Sequence, residues 1–599
     1  MAKNLLRHIS LKNKRHFWLL VTVIAALIFA VRISQIHQGL PDVQLSDENS
    51  DLSTTAKILT GQVPPDIHFH RLAILWIEVP AFGLVYLKNA LGTGQFSFSA
   101  LQNLYFAYRE YFVFSARLLI VIVSTIAIFA LADLVRRCLS PTAAIIAIVL
   151  GGCYYFWNIN LLYAMPDSLI PSVVVFYLWA VVLVYQRGSR LDYLLAGIAL
   201  AFVFMCKISA ATIGITLVLA HFFRVWNESK STRIWQQLIV SDRVVVVVGA
   251  FVCGCIIANP LAFLHPQMST YELHLLFNQG FDTSEAIGNT ASNAGNFLHS
   301  AYSKSRELFE GYVGVPLLVA LLLSVVFTIR RRSQFGVLMI SAFLAAWLTI
   351  ALSIRYEKAS YWLPLAPMIV ILAAYALFEI LKWSQTRGSL AYSLGILVVV
   401  LVISNEALLT LKVSLIVYND YTFEQAETFI EQNWPKSSSV LMGANEVYSV
   451  PILRDTTSIL RAQSLGHQPL RAETWWLQQA PQTRPYEYNI YGPEFQGKVT
   501  TYDALHQLIL DNQIQYVITV DNCDGTTPRP SSTSAQEFPA IDRSIRSDLQ
   551  LIKVFTPFNR GEQCLTDVWE RIGPLHRDEL YDWQRPGPIV KLYKVTVTF

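Results

Sequence analysis

The sequence predicts an α-helical polytopic membrane protein that carries a C-terminal α/β domain, and three observations predict it. Hydrophobic residues make up 53% of the 599-residue chain and mean hydropathy is +0.41. Charged residues are only 15%, against about 25% in ordinary soluble proteins. Apolar windows long enough to cross a bilayer as a helix, with every backbone hydrogen bond satisfied internally, recur through the first two thirds and stop near residue 411. Disordered, collagen-like and ordinary soluble chains are thereby excluded. A net charge of +4 gives no reason to expect nucleic acid, so the placement of the charges matters more than their sum.

About eleven spans are expected, near 17–36, 113–135, 141–158, 168–186, 191–206, 208–224, 244–259, 312–329, 335–353, 361–381 and 390–411. The fifth and sixth meet at Lys207 and are read as one tight helical pair. Short loops rich in Lys and Arg stay cytoplasmic. The N-terminal segment (Lys3, Arg7, Lys12, Lys14, Arg15) and the alternate loops with Arg136 and Arg137, Arg187 and Arg190, Arg224 to Arg243, Arg330 to Arg332, and Lys382 and Arg387 share one side if the count is eleven. The N-terminus is then cytoplasmic and everything after about 412 extracytoplasmic, in a multi-pass plasma membrane protein, the inner membrane if bacterial. The 72–91 stretch is nearly as apolar, but crossing would move every later basic loop outside. Glu78 and Pro80 in its middle favour a helix lying at the outer interface or re-entering. The first span has a basic flank and no small-residue cleavage site after Ala30, so it reads as a retained signal-anchor.

The expected division is a membrane domain over 1–411, with a first outer loop at 37–112 and a long outer loop at 260–311, followed by an extracytoplasmic α/β domain over 412–599. A helix is expected over 423–433 after a Thr422 cap, with strands at 439–442, 516–520, 551–555 and 589–597. Cys523 and Cys564 lie in the compartment expected to be oxidising, where a disulfide between them is one reading. The other five cysteines lie in or beside spans and read as small packing residues.

There is no P-loop, G-x-G-x-x-G, G-x-S-x-G or H-E-x-x-H motif, which argues against a nucleotide-driven pump. Polar residues instead gather at the outer ends of spans. Asp47, Glu48 and Asp51 crowd three carboxylates after the first span; one can act as a general base, or the run is a solvated turn in which Asp51 caps a helix over 52–59 ended by Gly61. His68, His70 and Arg71 follow in a Pro-rich run and can hold phosphate or a metal, or simply face water. Asp167, after Pro166, suits catalysis or the N-terminal dipole of a helix. Lys207 within apolar sequence points to function, with snorkelling to the headgroups as the competing account. Arg355, Tyr356, Lys358 and Tyr361 at the tenth span can hold an anionic headgroup or form an interfacial belt, and Arg117 is a further buried cation.

This succession resembles the GT-C glycosyltransferases that use polyprenyl-phosphate sugars, in particular protein O-mannosyltransferases and the lipid A aminoarabinose transferase. The resemblance runs in order over about residues 1–411: Asp47-Glu48 with a trailing helix and Gly61, the 64–71 entry to a juxtamembrane helix, Arg117, Pro166-Asp167, Lys207, and Arg355-Tyr356 with 361–367. Gly587-Pro588-Ile589 before a last strand resembles the α/β domain ending bacterial members. His68-Phe69-His70 stands where His-Pro-Pro is more usual, and Ser50-Asp51 where an aromatic often follows the acidic pair, so the acceptor is not read from these motifs.

The resemblance implies inverting transfer from a polyprenyl-phosphate sugar to a protein, glycan or lipid acceptor. Asp47 would be the base, Glu48 its support or a metal ligand, and Asp167 an orienting carboxylate. Arg71, Arg117, Lys207, Arg355, Tyr356, Lys358 and Tyr361 would hold the donor phosphate. The donor needs no nucleotide, and a divalent metal, with Glu48, His68 and His70 as its candidate ligands, is left open. The rivals are a transporter or flippase of a lipid-linked sugar, a membrane-anchored scaffold, and transfer of a whole oligosaccharide from a pyrophosphate carrier.

Overall fold

The computed structural model describes residues 13–40, 46–59, 73–228, 241–264, 301–352, 359–442, 450–465, 487–492, 502–521, 548–558, 577, 583–585, 587 and 589–596. The first half contains α1 (Lys14–Ile33), α2 (Ser46–Leu59), α3 (Leu75–Thr93), α4 (Phe98–Ala107), α5 (Arg109–Cys138), α6 (Pro141–Cys153), α7 (Tyr155–Asn160), α8 (Pro166–Gln186) and α9 (Arg190–Cys206). A 3-10 turn over Ile208–Gly214 leads into α10 (Ile215–Glu228), followed by α11 (Asp242–Ala258) and α12 (Pro260–Leu264). A π turn over Glu307–Val313 precedes α13 (Gly314–Arg331) and α14 (Gln334–Ala351). A second 3-10 turn, Ala359–Leu365, precedes α15 (Ala366–Gln385) and α16 (Ser389–Tyr418).

Among the described residues, eight helical segments are long and apolar enough to cross a membrane: Lys14–Ile33, Arg109–Cys138, Pro166–Gln186, Ile208–Glu228, Ala301–Arg331, Gln334–Ala351, Ser360–Gln385 and Ser389–Asn433. Helices also occupy the other three expected spans, but they are shorter: α6 has 13 residues, and α9 and α11 have 17 each. Helix α3 is not among the eight. Its Glu78, however, does not face headgroups. It is fully buried and accepts a hydrogen bond from Thr55 of α2.

Helices α8 and α15 are the most enclosed spans and form the centre of the bundle. Around them, α9 packs on α11 and α8, α5 on α6 and α8, and α15 on α6 and α13. The fifth and sixth spans meet at Lys207, whose extended backbone (φ −159°, ψ 108°) ends α9. The 3-10 turn that follows packs back on α9, Tyr193 of α9 and His221 of α10 share a hydrogen bond at 2.6 Å, and α10 also packs on α8 and α14. Small residues let α9 and α11 approach closely: a Cβ on Gly197 would lie 2.7 Å from Val247 O, and one on Gly254 would lie 2.7 Å from Ala201 Cβ.

The basic loops gather at one end of this bundle. Gln186 Nε2 donates to Arg137 O (3.2 Å), Arg224 Nη1 to Gln186 O (2.7 Å), Tyr185 OH to Gln334 Oε1 (2.9 Å), and Arg190 Nε to Asp242 (2.8 Å). Because the helices alternate in direction, the end of α1 and the starts of α5 and α8 lie at the opposite end, together with the Lys207 break.

Helix α16 runs on past residue 411 to Tyr418. Beyond it come α17 (Thr422–Asn433), β1 (Ser439–Met442), β2 (Leu453–Arg454), α18 (Thr456–Ser464), β3 (Glu487–Tyr491), α19 (Tyr502–Asp511), β4 (Tyr516–Asp521), β5 (Leu549–Phe555) and β6 (Ile589–Val595). The strands form one sheet in the order β2-β3-β1-β4-β6-β5, parallel through β4 and antiparallel at β6 and β5. The four expected strands are present, whereas β2, β3, α18 and α19 were not expected. Cys523 and Cys564 lie outside the described residues. The other five cysteines are free thiols; Cys206 and Cys255 are buried, as packing residues are, whereas Cys138 and Cys153 are half-buried and Cys253 is exposed.

Candidate active site

The acidic run after α1 is not a turn that caps a later helix. It is itself helical from Ser46, so Asp47, Glu48 and Asp51 occupy the opening turns of α2, where exposed backbone N–H groups favour carboxylates. Glu48 is fully buried. Arg117 of α5 grips it with a two-pronged fork, Nε to Oε1 at 2.8 Å and Nη2 to Oε2 at 2.6 Å. The Ala164 backbone N–H adds a third bond to Oε1 at 2.6 Å.

Arg117 in turn donates from Nη1 to Ile36 O (2.9 Å) and Gln38 O (2.6 Å), and its guanidinium lies 5.6 Å from the centre of the Tyr163 ring. One buried ion pair therefore ties together the chain after α1, the start of α2, α5 and the entry to α8. Arg117 is 1% exposed, with four of its five N–H donors used inside the protein. Glu48 accepts three hydrogen bonds, two on Oε1 and one on Oε2, with no exposure to water.

Three residues beyond Ala164, Asp167 stands in the first turn of α8, with Pro166 opening the helix. Its carboxylate accepts from Lys207 Nζ at 2.5 Å, across 40 residues of sequence. The same ammonium donates to Ser360 O at 2.9 Å and lies 4.2 Å from the centre of the Tyr361 ring. Lys207 is 7% exposed, so it does not snorkel to the headgroups. The break after α9 places its side chain inside the bundle, where its charge is balanced by Asp167 and softened by an aromatic face.

Glu48, Arg117, Asp167, Lys207 and Tyr361 thus come together at the end of the bundle opposite the basic loops. The side chain of Asp47 and all of His68, His70, Arg71, Arg355, Tyr356 and Lys358 lie outside the described residues. Among the described residues no three His, Cys, Asp or Glu form a group able to hold a metal. Ile36, Gln38, Tyr163, Ala164 and Ser360 were not foreseen. Most contribute backbone groups, which every residue carries and no sequence pattern marks.

Chemically, the arrangement offers a fixed ammonium with an aromatic wall beside a helix that begins with acidic residues. Such a site suits an anion whose charge grows during a reaction, next to a proton acceptor.

Residues 98–255 match the model of the dolichyl-phosphate-mannose-protein mannosyltransferase family. That stretch contains Arg117, Asp167 and Lys207 and supports the resemblance read from the sequence. No curated protein matches the chain. Among solved structures, ArnT from Cupriavidus metallidurans bound to undecaprenyl phosphate is similar at 12% identity and TM-score 0.46, over 85% of this chain and 94% of that one. The archaeal oligosaccharyltransferase AglB from Archaeoglobus fulgidus, in complex with an inhibitory peptide and a dolichol-phosphate, is similar at 13% identity and TM-score 0.43, over 85% of this chain and 70% of that one.

Proposed function

We propose that this protein is an inverting glycosyltransferase that moves a sugar from a polyprenyl-phosphate donor to an acceptor at the extracytoplasmic face of the membrane. The observation that carries the reading is the meeting of Lys207 with Asp167, Ser360 and Tyr361, three residues along the chain from the Glu48–Arg117 pair. The family-model match over 98–255, which contains Arg117, Asp167 and Lys207 but not Glu48, Ser360 or Tyr361, supports the substrate class. The collection of Arg and Lys at the opposite end of the bundle supports the outward orientation.

In the proposed reaction the acceptor's hydroxyl or amine attacks the anomeric carbon. The bond from that carbon to the phosphate oxygen breaks, and the lipid phosphate leaves with the electron pair. Asp47 takes the acceptor's proton. Glu48, locked by Arg117, fixes the first turn of α2 and so the place of Asp47. Lys207 faces the charge that grows on the leaving phosphate, and Asp167 keeps that ammonium in place and orients a substrate hydroxyl. Arg71, Arg355, Tyr356 and Lys358 complete the phosphate site. The step as written requires no metal.

A scaffold would have no reason to bury Lys207 against a partly exposed Asp167 near the acidic helix, and burying charge without function is costly. The direct test incubates purified protein with radiolabelled undecaprenyl- and dolichyl-phosphate sugars and follows loss of label from the lipid. Turnover of one donor, abolished by Asp47→Asn with donor binding retained, is the expected result. Movement of intact donor across a vesicle membrane, without cleavage, would establish the flippase reading instead.

A further inference from the structure

Glu406 is a fully buried carboxylate inside the apolar helix α16, a costly placement that calls for a partner. The cation comes from the C-terminal domain. Arg577 Nη2 reaches Glu406 Oε1 at 2.5 Å, while the Arg577 backbone N–H donates to Gly311 O at 3.2 Å. The guanidinium also donates to Tyr312 O at 3.4 Å and lies 5.2 Å from the centre of the Tyr155 ring. Gly314 has φ +72°, and a Cβ there would fall 2.6 Å from Arg577 Cζ, so the socket exists only because this position is glycine. The π turn over Glu307–Val313 supplies the carbonyls that line it.

From Glu406 a partly buried polar seam runs along one face of α16 at steps of four residues. Thr410 Oγ1 donates to Cys153 O, where α6 ends, at 2.5 Å, and Ser414 Oγ donates to Thr410 O at 2.8 Å. Gln35, just past α1, donates from Nε2 to Ser414 Oγ. The next residue, Ile36, and then Gln38 supply the two carbonyls that hold Arg117. Bonded contacts and short stretches of chain thus connect the docked C-terminal domain to the pair that fixes α2.

We infer that Glu406 and Arg577 are a positioning pair for the transfer site: docking of the C-terminal domain sets Gln35 through Thr410 and Ser414, and thereby the carbonyls that aim Arg117 at Glu48. The catalytic consequence rests on the function proposed above; the mechanical coupling does not. The C-terminal domain is accordingly a clamp on the acidic helix, which explains why an arginine is inserted into a socket among membrane helices instead of lying on the surface.

The test is amide hydrogen exchange of the full-length protein in lipid nanodiscs, without ligand, comparing wild type with Arg577→Ala and Ser414→Ala. Removing Arg577 leaves Glu406 buried without its cation and can loosen the whole fold. Ser414→Ala cuts the seam halfway without touching a charge, so it is the deciding variant. Exchange across 46–59 is expected to rise by about tenfold or more in Ser414→Ala, with exchange in 190–206 unchanged. Unaltered exchange across 46–59 in Ser414→Ala, or an equal rise in both segments, overturns the inference. The same variants are assayed for sugar release from undecaprenyl-phosphate mannose and the other donors above. The inference expects kcat to fall with KM held for a donor the wild type uses. A wild type inert toward every donor, with α2 still responding to Ser414→Ala, refutes the transferase and leaves the coupling intact. An active wild type whose α2 ignores the seam does the reverse.

Discussion

Glu48 holds three hydrogen bonds from Arg117 and the Ala164 backbone with no exposure to water, and that geometry decides what its substitution does. Removing one partner of such a pair strands the other as an uncompensated charge, at a cost of about 3–5 kcal/mol. Glu48→Gln is therefore expected to lower stability, read as a fall in the thermal midpoint of purified protein, as well as activity. Asp47→Asn is expected to leave the thermal midpoint in place and lower turnover by about 10²–10⁴-fold, the usual contribution of a general base. Equal turnover of Asp47→Asn and wild type would remove Asp47 from the mechanism. Lys207→Ala is expected to cost about 10²–10³-fold in kcat, as loss of a pre-aimed charge on a developing oxyanion does. Lys207→Arg should recover only part of it, because a planar fork does not fit a socket shaped by Asp167, Ser360 and the Tyr361 ring.

At the scale of elements, periodicity and hydropathy located the helices, but not how far each runs. Helix α2 begins at Ser46 because Asp and Glu in a first turn complement its dipole, whereas the sequence alone also admits Asp51 as the cap of a shorter helix over 52–59. Strands β2 and β3 escaped notice because β2 has two residues and β3 reads Glu-Tyr-Asn-Ile-Tyr, a polar mixture that becomes a strand only between its neighbours. The contact of α9 with α11 depends on Gly197 and Gly254. Gly254→Leu must push the helices apart, and overpacking of this kind costs about 1–3 kcal/mol. It is expected to lower the thermal midpoint in detergent with less effect on KM than on stability. A midpoint equal to wild type would show that this helix pair is not held by close approach.

For the molecule as a whole, the proposed orientation makes a prediction independent of chemistry. Cysteine placed at Leu460, an exposed position of the C-terminal domain, should react in intact cells with a membrane-impermeant maleimide. Cysteine at Arg332, in the turn between α13 and α14, should react only after the cells are opened. The reverse pattern would turn the whole protein over and place the site on the cytoplasmic side.

Sequence by itself determined the membrane class, the change of texture near 412, the alternation of basic loops, and Glu48, Asp167 and Lys207 as unusual polar residues. These are legible because an isolated charge in apolar sequence is expensive wherever the chain folds. Only the tertiary structure decided which charge meets which: that Arg117 pairs with Glu48, that Asp167 pairs with Lys207, and that Glu406 pairs with an arginine 171 residues away. Pairing depends on distances set by helix packing and on backbone carbonyls and amides, and neither leaves a mark in the order of side chains.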